Sequence, residues 1–327
     1  MDKIASIVCV LEILKKYTDE SHPLKQEEIV NYLDTDYGME VERKTVGRNL
    51  ANLKELGYDI QSSGKGSYLG EREFQSSEIR VLIDAVLSNK SLNDTHSREL
   101  LDKIIKMGGR NFDSHTNHIL SVMGWNKTDN KSVFYHLDAL DEAIEKKQAL
   151  QIDYGKYGVD KILHKEHTFE ISPYQFIIHN QRYYLMCKIS KYNTMSFLKV
   201  DRIMAIRKKK LGYVDITKVE GYEHGIDYHE LNSARPYMFS DRVETIIIRC
   251  RRTMVDEIIE WFGKDVGFYE DNTSKNGKYK IAYITSSPKA FKYWALQFGE
   301  MVEVVEPLFL REEIKKAIDS MAKKYKD

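Results

Sequence analysis

Cysteine is nearly absent. Cys9, Cys187 and Cys250 are the only three in 327 residues, they lie far apart, and none stands in a CxxC pair. That excludes a disulfide framework and a zinc ribbon, and it fits a reducing, cytoplasmic setting. Proline is scarce at five, and no low-complexity tract occurs, so long disordered segments are not expected. Long apolar runs are missing too. The opening MDKIASIVCVLEILKK is broken by Asp2, Lys3 and Glu12, and reads as neither a signal peptide nor a membrane span. The motifs GxxxxGK[ST], GxSxG and HExxH do not occur. Gly64-Lys65-Gly66 is no phosphate loop, since no Ser or Thr follows the lysine. His164 and His167, three apart on a strand, point to opposite faces and make a poor metal pair. Asp34, Asp36, Asp138 and Asp141 read as surface acids. The chain is therefore expected to be no enzyme and to need no cofactor or metal.

Net charge is absent as well: 50 Lys and Arg balance 50 Asp and Glu. The distribution is uneven. Residues 1–72 carry 10 basic against 13 acidic, residues 73–146 carry 9 against 12, residues 147–210 carry 13 against 5, and residues 211–327 carry 18 against 20. The surplus on 147–210 is the footprint expected of a polyanion site. A solvated basic surface that balances acidic neighbours would give the same count.

What is present reads as an α+β chain of several domains. Ile4, Ile7, Val8, Leu11 and Leu14 mark a first helix, and Lys25–Leu33 a second, followed by a polar turn over Asp34–Glu40. Val46, Leu50 and Leu53 at i, i+4 and i+7 face inward on a third, which Gly57 stops. Ile60–Leu69 then reads as a hairpin. Three helices and a hairpin make a winged helix-turn-helix over 1–72. Arg43, Lys44, Thr45 and Arg48, with Asn49 and Asn52 behind them, are the candidates for base edges, because Arg and Asn read guanine and adenine bidentately. Lys65 at the wing tip is placed to meet phosphate. A helical module that touches no DNA is the blander reading of the same segment. Residues 73–132 read as helical linker, with helices at Glu78–Leu87 and Arg98–Met107.

After a helix over Val133–Lys147, about five short strands follow between Leu150 and Lys208, enough for a small Sm/SH3-like β-barrel over 133–210. Its middle, Glu170–Ile203, alternates apolar and polar residues and is rich in tyrosine. Small barrels bind oligonucleotides by pairing cations with stacking aromatics. Strict alternation puts Lys199 and Asp201 on one side of the last strand and Arg202 on the other, so a bend is required to join both cations. Asp201 is expected to orient Arg202. Residues 211–239 read as a loose connector. Residues 240–327 read β-α-β-β-α-β, a ferredoxin-like plan, with its hairpin turning at Asn276-Gly277.

Pro173, Tyr183-Tyr184-Leu185 and Lys199-Val200-Asp201-Arg202-Ile203 together resemble the signature of the WYL domain. Tyr183 stands where that family usually has Trp, and Lys199 where it usually has Arg. Thr45-Val46-x-Arg48-x-Leu50-x-x-Leu53 is similar to the third helix of the reader domain in these proteins. Trp294…Gly299…Val305-x-Pro307 is similar to the extension that follows many WYL domains. The resemblance implies a ligand-responsive, DNA-binding transcription regulator, with an operator duplex, an oligonucleotide or nucleotide ligand and a homodimer partner. By match to the family pattern the ligand residues are Tyr154, Tyr184, Lys199 and Arg202, with His164 and Arg182 as weaker additions. It links the extension to dimerisation. Two other readings stay open: an accessory protein binding single-stranded nucleic acid or a protein partner through the barrel, and an enzyme acting on a nucleotide there.

Overall fold

The structure is a computed structural model that describes residues 3–110, 112, 127–210, 212–228, 231, 235–274 and 277–326. The chain divides into two compact units, Met1–Lys131 and Ser132–Asp327.

In the first unit, helices α1 (Lys3–Tyr17), α2 (Gln26–Tyr37) and α3 (Arg43–Glu55) precede the hairpin of β1 (Ile60–Ser63) and β2 (Gly66–Leu69). Val10, Ile13 and Leu14 of α1, Ile29 and Leu33 of α2, and Val46, Leu50 and Leu53 of α3 form one core with Ile60 and Leu69. The apolar spacing of each helix thus points at the other two. α2 runs past the expected end at Leu33, and Asp34–Tyr37 is its last turn. Gly38 closes it in the left-handed region at φ 62°, its amide donating to the Asp34 carbonyl and the next amide, of Met39, to the Leu33 carbonyl. The polarity of that turn reflects exposure and not a break. The wing gains a third strand position: Leu24 and Ser67 exchange backbone hydrogen bonds at 2.9 and 2.8 Å. Gly66 permits this, since a Cβ there would stand 2.5 Å from the Leu24 carbonyl. Helices α4 (Ser76–Ser88) and α5 (Asp94–Met107) follow and share their own core of Ile79, Ile83, Val86, Leu101 and Ile104. α5 starts four residues before Arg98, because Asn93 caps it by accepting from the His96 amide at 2.8 Å.

The second unit opens with α6 (Val133–Glu145). Five strands follow: β3 (Leu150–Tyr157), β4 (Leu163–His179), β5 (Arg182–Ile189), β6 (Met195–Lys199) and β7 (Ile203–Lys208). The antiparallel order is β6-β5-β4-β3-β7. The last strand returns to the first, the Sm/SH3-like connection, after a 3₁₀ turn over Val200–Arg202. Bulges at Tyr154/Gly155 and Pro173/Gln175 bend the long strands. Asn180 and Gln181 make the β4–β5 turn, both with positive φ. Leu150, Ile152, Ile171, Leu185, Cys187 and Val200 fill the interior under Leu140 and Ala143 of α6. The other face of β5 is also covered. Met186, Tyr174 and Met195 pack against Val219, Tyr222 and Leu231, so the described part of 211–239 is a packed strap rather than the loose connector its polar composition suggests.

Then come β8 (Glu244–Arg251), α7 (Val255–Phe262), β9 (Gly267–Glu270), β10 (Tyr279–Ser286), α8 (Pro288–Phe298), β11 (Val302–Glu306) and α9 (Leu308–Lys324). The sheet order β11-β8-β10-β9 is the ferredoxin-like one. Trp294 and Phe291 of α8 are fully buried against Ile246, Ile248, Ala282 and Ile284. Asn276, expected in the β9–β10 turn, lies outside the described residues.

Candidate nucleic-acid interface and cation cluster

The outer face of α3 follows from its inner one. With Val46, Leu50 and Leu53 buried, Lys44, Arg48 and Asn52 at i, i+4 and i+8 are left exposed, together with Arg43 at the first position. Thr45 is half-buried beside them, and Lys65 is exposed at the wing tip. Arg43 pairs with Glu27 of α2 at 3.0 Å and donates from Nε to Gln26 Oε1 at 3.2 Å. Asn49 is a correction. Its side chain lies on the core side, 6% exposed, and its amide donates to Ser6 Oγ at 2.6 Å. At i+3 from Val46 it falls on the buried arc, where a polar group needs an internal partner. Glu42 stands at the N-cap with no side-chain capping bond.

The central cations meet at the seam between β6 and β7. Tyr184 on β5 and Lys199 on β6 are direct cross-strand partners, and the ammonium sits 5.9 Å from the Tyr184 ring centroid. The chain then enters the 3₁₀ turn. That turn supplies the bend required by strict alternation, bringing Asp201 and Arg202 round to the same region as Lys199. Asp201, 2% exposed, accepts from Arg182 Nη1 at 2.6 Å. The expected partner was Arg202, which instead lies 5.1 Å over the ring of Tyr157 at the end of β3. Tyr154 accepts from the Lys199 backbone N–H at 3.1 Å.

The electrostatics are those of a half-dry cluster. Burial, then the Arg202 and Arg182 charges, lower the Lys199 pKa from its ordinary value. Burial raises the Asp201 carboxyl against the pull of Arg182, Arg202 and Lys199. Burial pushes Tyr154 up to about 12 and raises Tyr184, so both phenols are neutral donors at neutral pH. Three cations against one carboxylate leave the cluster about +2.

Not every expected ligand residue joins it in the same way. Tyr184 is 8% exposed, so it offers no open face for a base; its ring meets His179 edge-on at 6.1 Å. His164 pairs with Asp160 at 2.6 Å near the β3–β4 turn. Tyr157 and Asp201 enter the cluster although neither stood among the expected ligand residues. The only signal for Tyr157 is that a strand-end tyrosine faces the end of the neighbouring β7.

The basic surplus of 147–210 is partly neutralised. Asp153 takes Arg207 at 2.7 Å and Lys165 at 2.9 Å, and Lys208 and Lys209 pair with Glu142 and Glu170. A hollow of about 860 Å³ lies elsewhere, in the first unit, lined by Tyr37, Tyr58, Phe74 and Met107. Among the described residues no group of three His, Cys, Asp or Glu could hold a metal, and no helix is long and apolar enough to cross a membrane.

Residues 135–208 match the WYL domain model and residues 242–322 the WCX domain model. The chain is 24% identical over 307 residues to an uncharacterized HTH-type transcriptional regulator, YobV, of Bacillus subtilis (strain 168), covering 88% of this chain and 90% of that one. Two solved structures are similar over almost all of the chain. The proteasome accessory factor B/C (PafBC) of Arthrobacter aurescens has a TM-score of 0.30, 14% identity and 99% coverage of this chain; this chain spans about half of it, 49%. A CRISPR Cas-related protein has a TM-score of 0.40, 13% identity, 98% coverage of this chain and 85% of its own.

Proposed function

We propose that this chain, in which residues 135–208 match the WYL and residues 242–322 the WCX domain model, is a DNA-binding transcription regulator whose barrel senses an anionic ligand. The observation that carries the first half is the exposed row Lys44, Arg48 and Asn52 on the third helix of a winged fold. Arg43, Thr45 and Lys65 flank it. Arg48 and Asn52 are suited to guanine and adenine edges, Lys44 and Lys65 to phosphate. The YobV likeness supports the same assignment.

The second half rests on the seam. Arg182 is held by Asp201, and Lys199 and Arg202 stand beside it over tyrosine rings. A phosphate there replaces missing countercharge, and the hydroxyls of Tyr154, Tyr157 and Tyr184 are the candidate donors to it. The ligand class is an oligonucleotide or nucleotide. Binding biases the equilibrium between two arrangements of a homodimer, in which the WCX domain supplies the contact and the two reader helices are differently spaced on a palindromic operator. The domain division 1–72, 73–132, 133–210, 211–239 and 240–327 belongs to this reading. So does a cytoplasmic setting.

Selection from a random-sequence duplex pool tests the reading. It predicts an enriched sequence, bound at moderate salt in at least one ligand state. No enrichment in any state contradicts it. Tight single-strand binding with no preferred duplex would favour an accessory protein acting through the barrel.

A further inference from the structure

From the contacts of Arg43, we infer that Glu27 of α2 is a specificity-determining residue for the reader helix, acting as an internal competitor for the Arg43 guanidinium. This rests on the reading of α3 as the helix that contacts duplex DNA.

Arg43 is the first residue of α3, and its guanidinium is already engaged. Nη1 meets Glu27 Oε1 at 3.0 Å, and Nε donates to Gln26 Oε1 at 3.2 Å. Both acceptors come from the first turn of α2. Gln26 is itself seated against α3: a Cβ on Gly47 would stand 3.3 Å from Gln26 Nε2. Glu28 has a different task, accepting from the Lys25 amide at 2.7 Å as part of the α2 capping box. So Glu27 is the acidic group of that turn directed at Arg43.

The guanidinium reads guanine through two adjacent N–H groups. Each such pair on Arg43 includes Nη1 or Nε, and these are the atoms held by Glu27 and Gln26. A group that takes the Nη1/Nη2 edge must therefore compete with the Glu27 carboxylate, and one that takes the Nε/Nη2 edge with the Gln26 amide oxygen. A backbone phosphate offers one anionic contact for another, and it also meets repulsion from Glu27, which is 65% exposed. A guanine edge offers two aligned acceptors and little charge to repel. The carboxylate thus penalises phosphate contacts more than base contacts. This agrees with a reader segment that is acidic overall, 10 basic against 13 acidic over residues 1–72, in which non-specific attraction is weak from the start.

The test uses the full chain, a random-sequence duplex pool and the duplex that the wild type enriches from it. Anisotropy titrations over a range of salt are run on wild type, E27Q, R43A and E27Q/R43A. E27Q is expected to raise affinity for the random pool about two- to fivefold, the span of an exposed ion pair. Its log K against log salt slope should steepen by about one counterion. Affinity for the enriched duplex should change by less, so the ratio of the two falls. In the R43A background the gain from E27Q should be clearly smaller, because only the direct repulsion from Glu27 is then relieved. An unchanged random-pool affinity overturns the inference, and so does an equal gain in R43A, which would be a general field effect. A wild type that enriches no duplex overturns the reading of α3, and this inference with it.

Discussion

The third helix of the reader and the seam of the barrel use the same kinds of side chain under opposite conditions. On α3 the cations are in water: Arg43 and its partner Glu27 are 66% and 65% exposed. At the seam Asp201 is 2% exposed and its partner Arg182 20%. An exposed pair has a small effect on the fold and a salt-dependent effect on partners. A buried pair supports the fold around it, and removing one side leaves a charge without compensation. On the proposed function, the first region can be rewritten for a new operator at little structural risk, and the second ties ligand recognition to the integrity of the barrel.

The largest effect that would break this contrast is at Asp201. D201N leaves Arg182, Lys199 and Arg202 without a carboxylate, and a loss of about 3–5 kcal/mol is expected, measured as a shift of the barrel's urea transition. The same kind of change on the reader, E27Q, should move its transition by less than about 1 kcal/mol. Equal shifts would erase the distinction. Next comes R48A. It should weaken binding to the enriched duplex by about 1–3 kcal/mol with thermal unfolding unchanged. A loss of fold would show that Arg48 is structural.

R202A separates the two sites from the other side. It should leave ligand-free duplex affinity unaltered while the response to a short single strand is lost. Tyr184→Ala is a poor companion, because emptying a site 8% exposed costs about 3–5 kcal/mol by cavity formation; Tyr184→Phe removes the hydroxyl alone. The smallest expected effect is on pH. Burial, Arg202 and Arg182 favour the neutral amine of Lys199 and place its pKa below 10.5. An anionic ligand favours the charged form. Its affinity should then be highest below the lowered pKa and decline as pH rises through it, in a window that opens below 10.5. K199R, which stays charged, should flatten that decline; an unaltered profile would show that Lys199 does not meet the ligand.

The sequence was most readable where one face alone is buried. Val46, Leu50 and Leu53 identified the reader helix and its outward row, and the β-α-β-β-α-β order identified the C-terminal fold. Periodicity misled where a polar residue lies on the buried arc, as Asn49 does, and where solvent-facing composition hid a helical turn, as at Asp34–Tyr37. At the seam, alternation could state that a bend was needed but not that a 3₁₀ turn would make it, nor that Asp201 would choose Arg182 across the strand over Arg202 beside it. Such choices depend on register. The strap over Met186 was illegible for a related reason: its Tyr213, Val219, Tyr222 and Leu231 are spaced too irregularly to show a period.

The most direct measurement is anisotropy of the full chain on its enriched duplex while a single strand of about 12 nucleotides, within the range such small folds cover, is titrated in. Wild type should change its duplex affinity on adding the strand, R202A should bind duplex as the ligand-free wild type does and ignore the strand, and R48A should lose the duplex yet still bind the strand. If R48A and R202A lose both activities together, the reader and the seam are not separate sites, and the account is wrong.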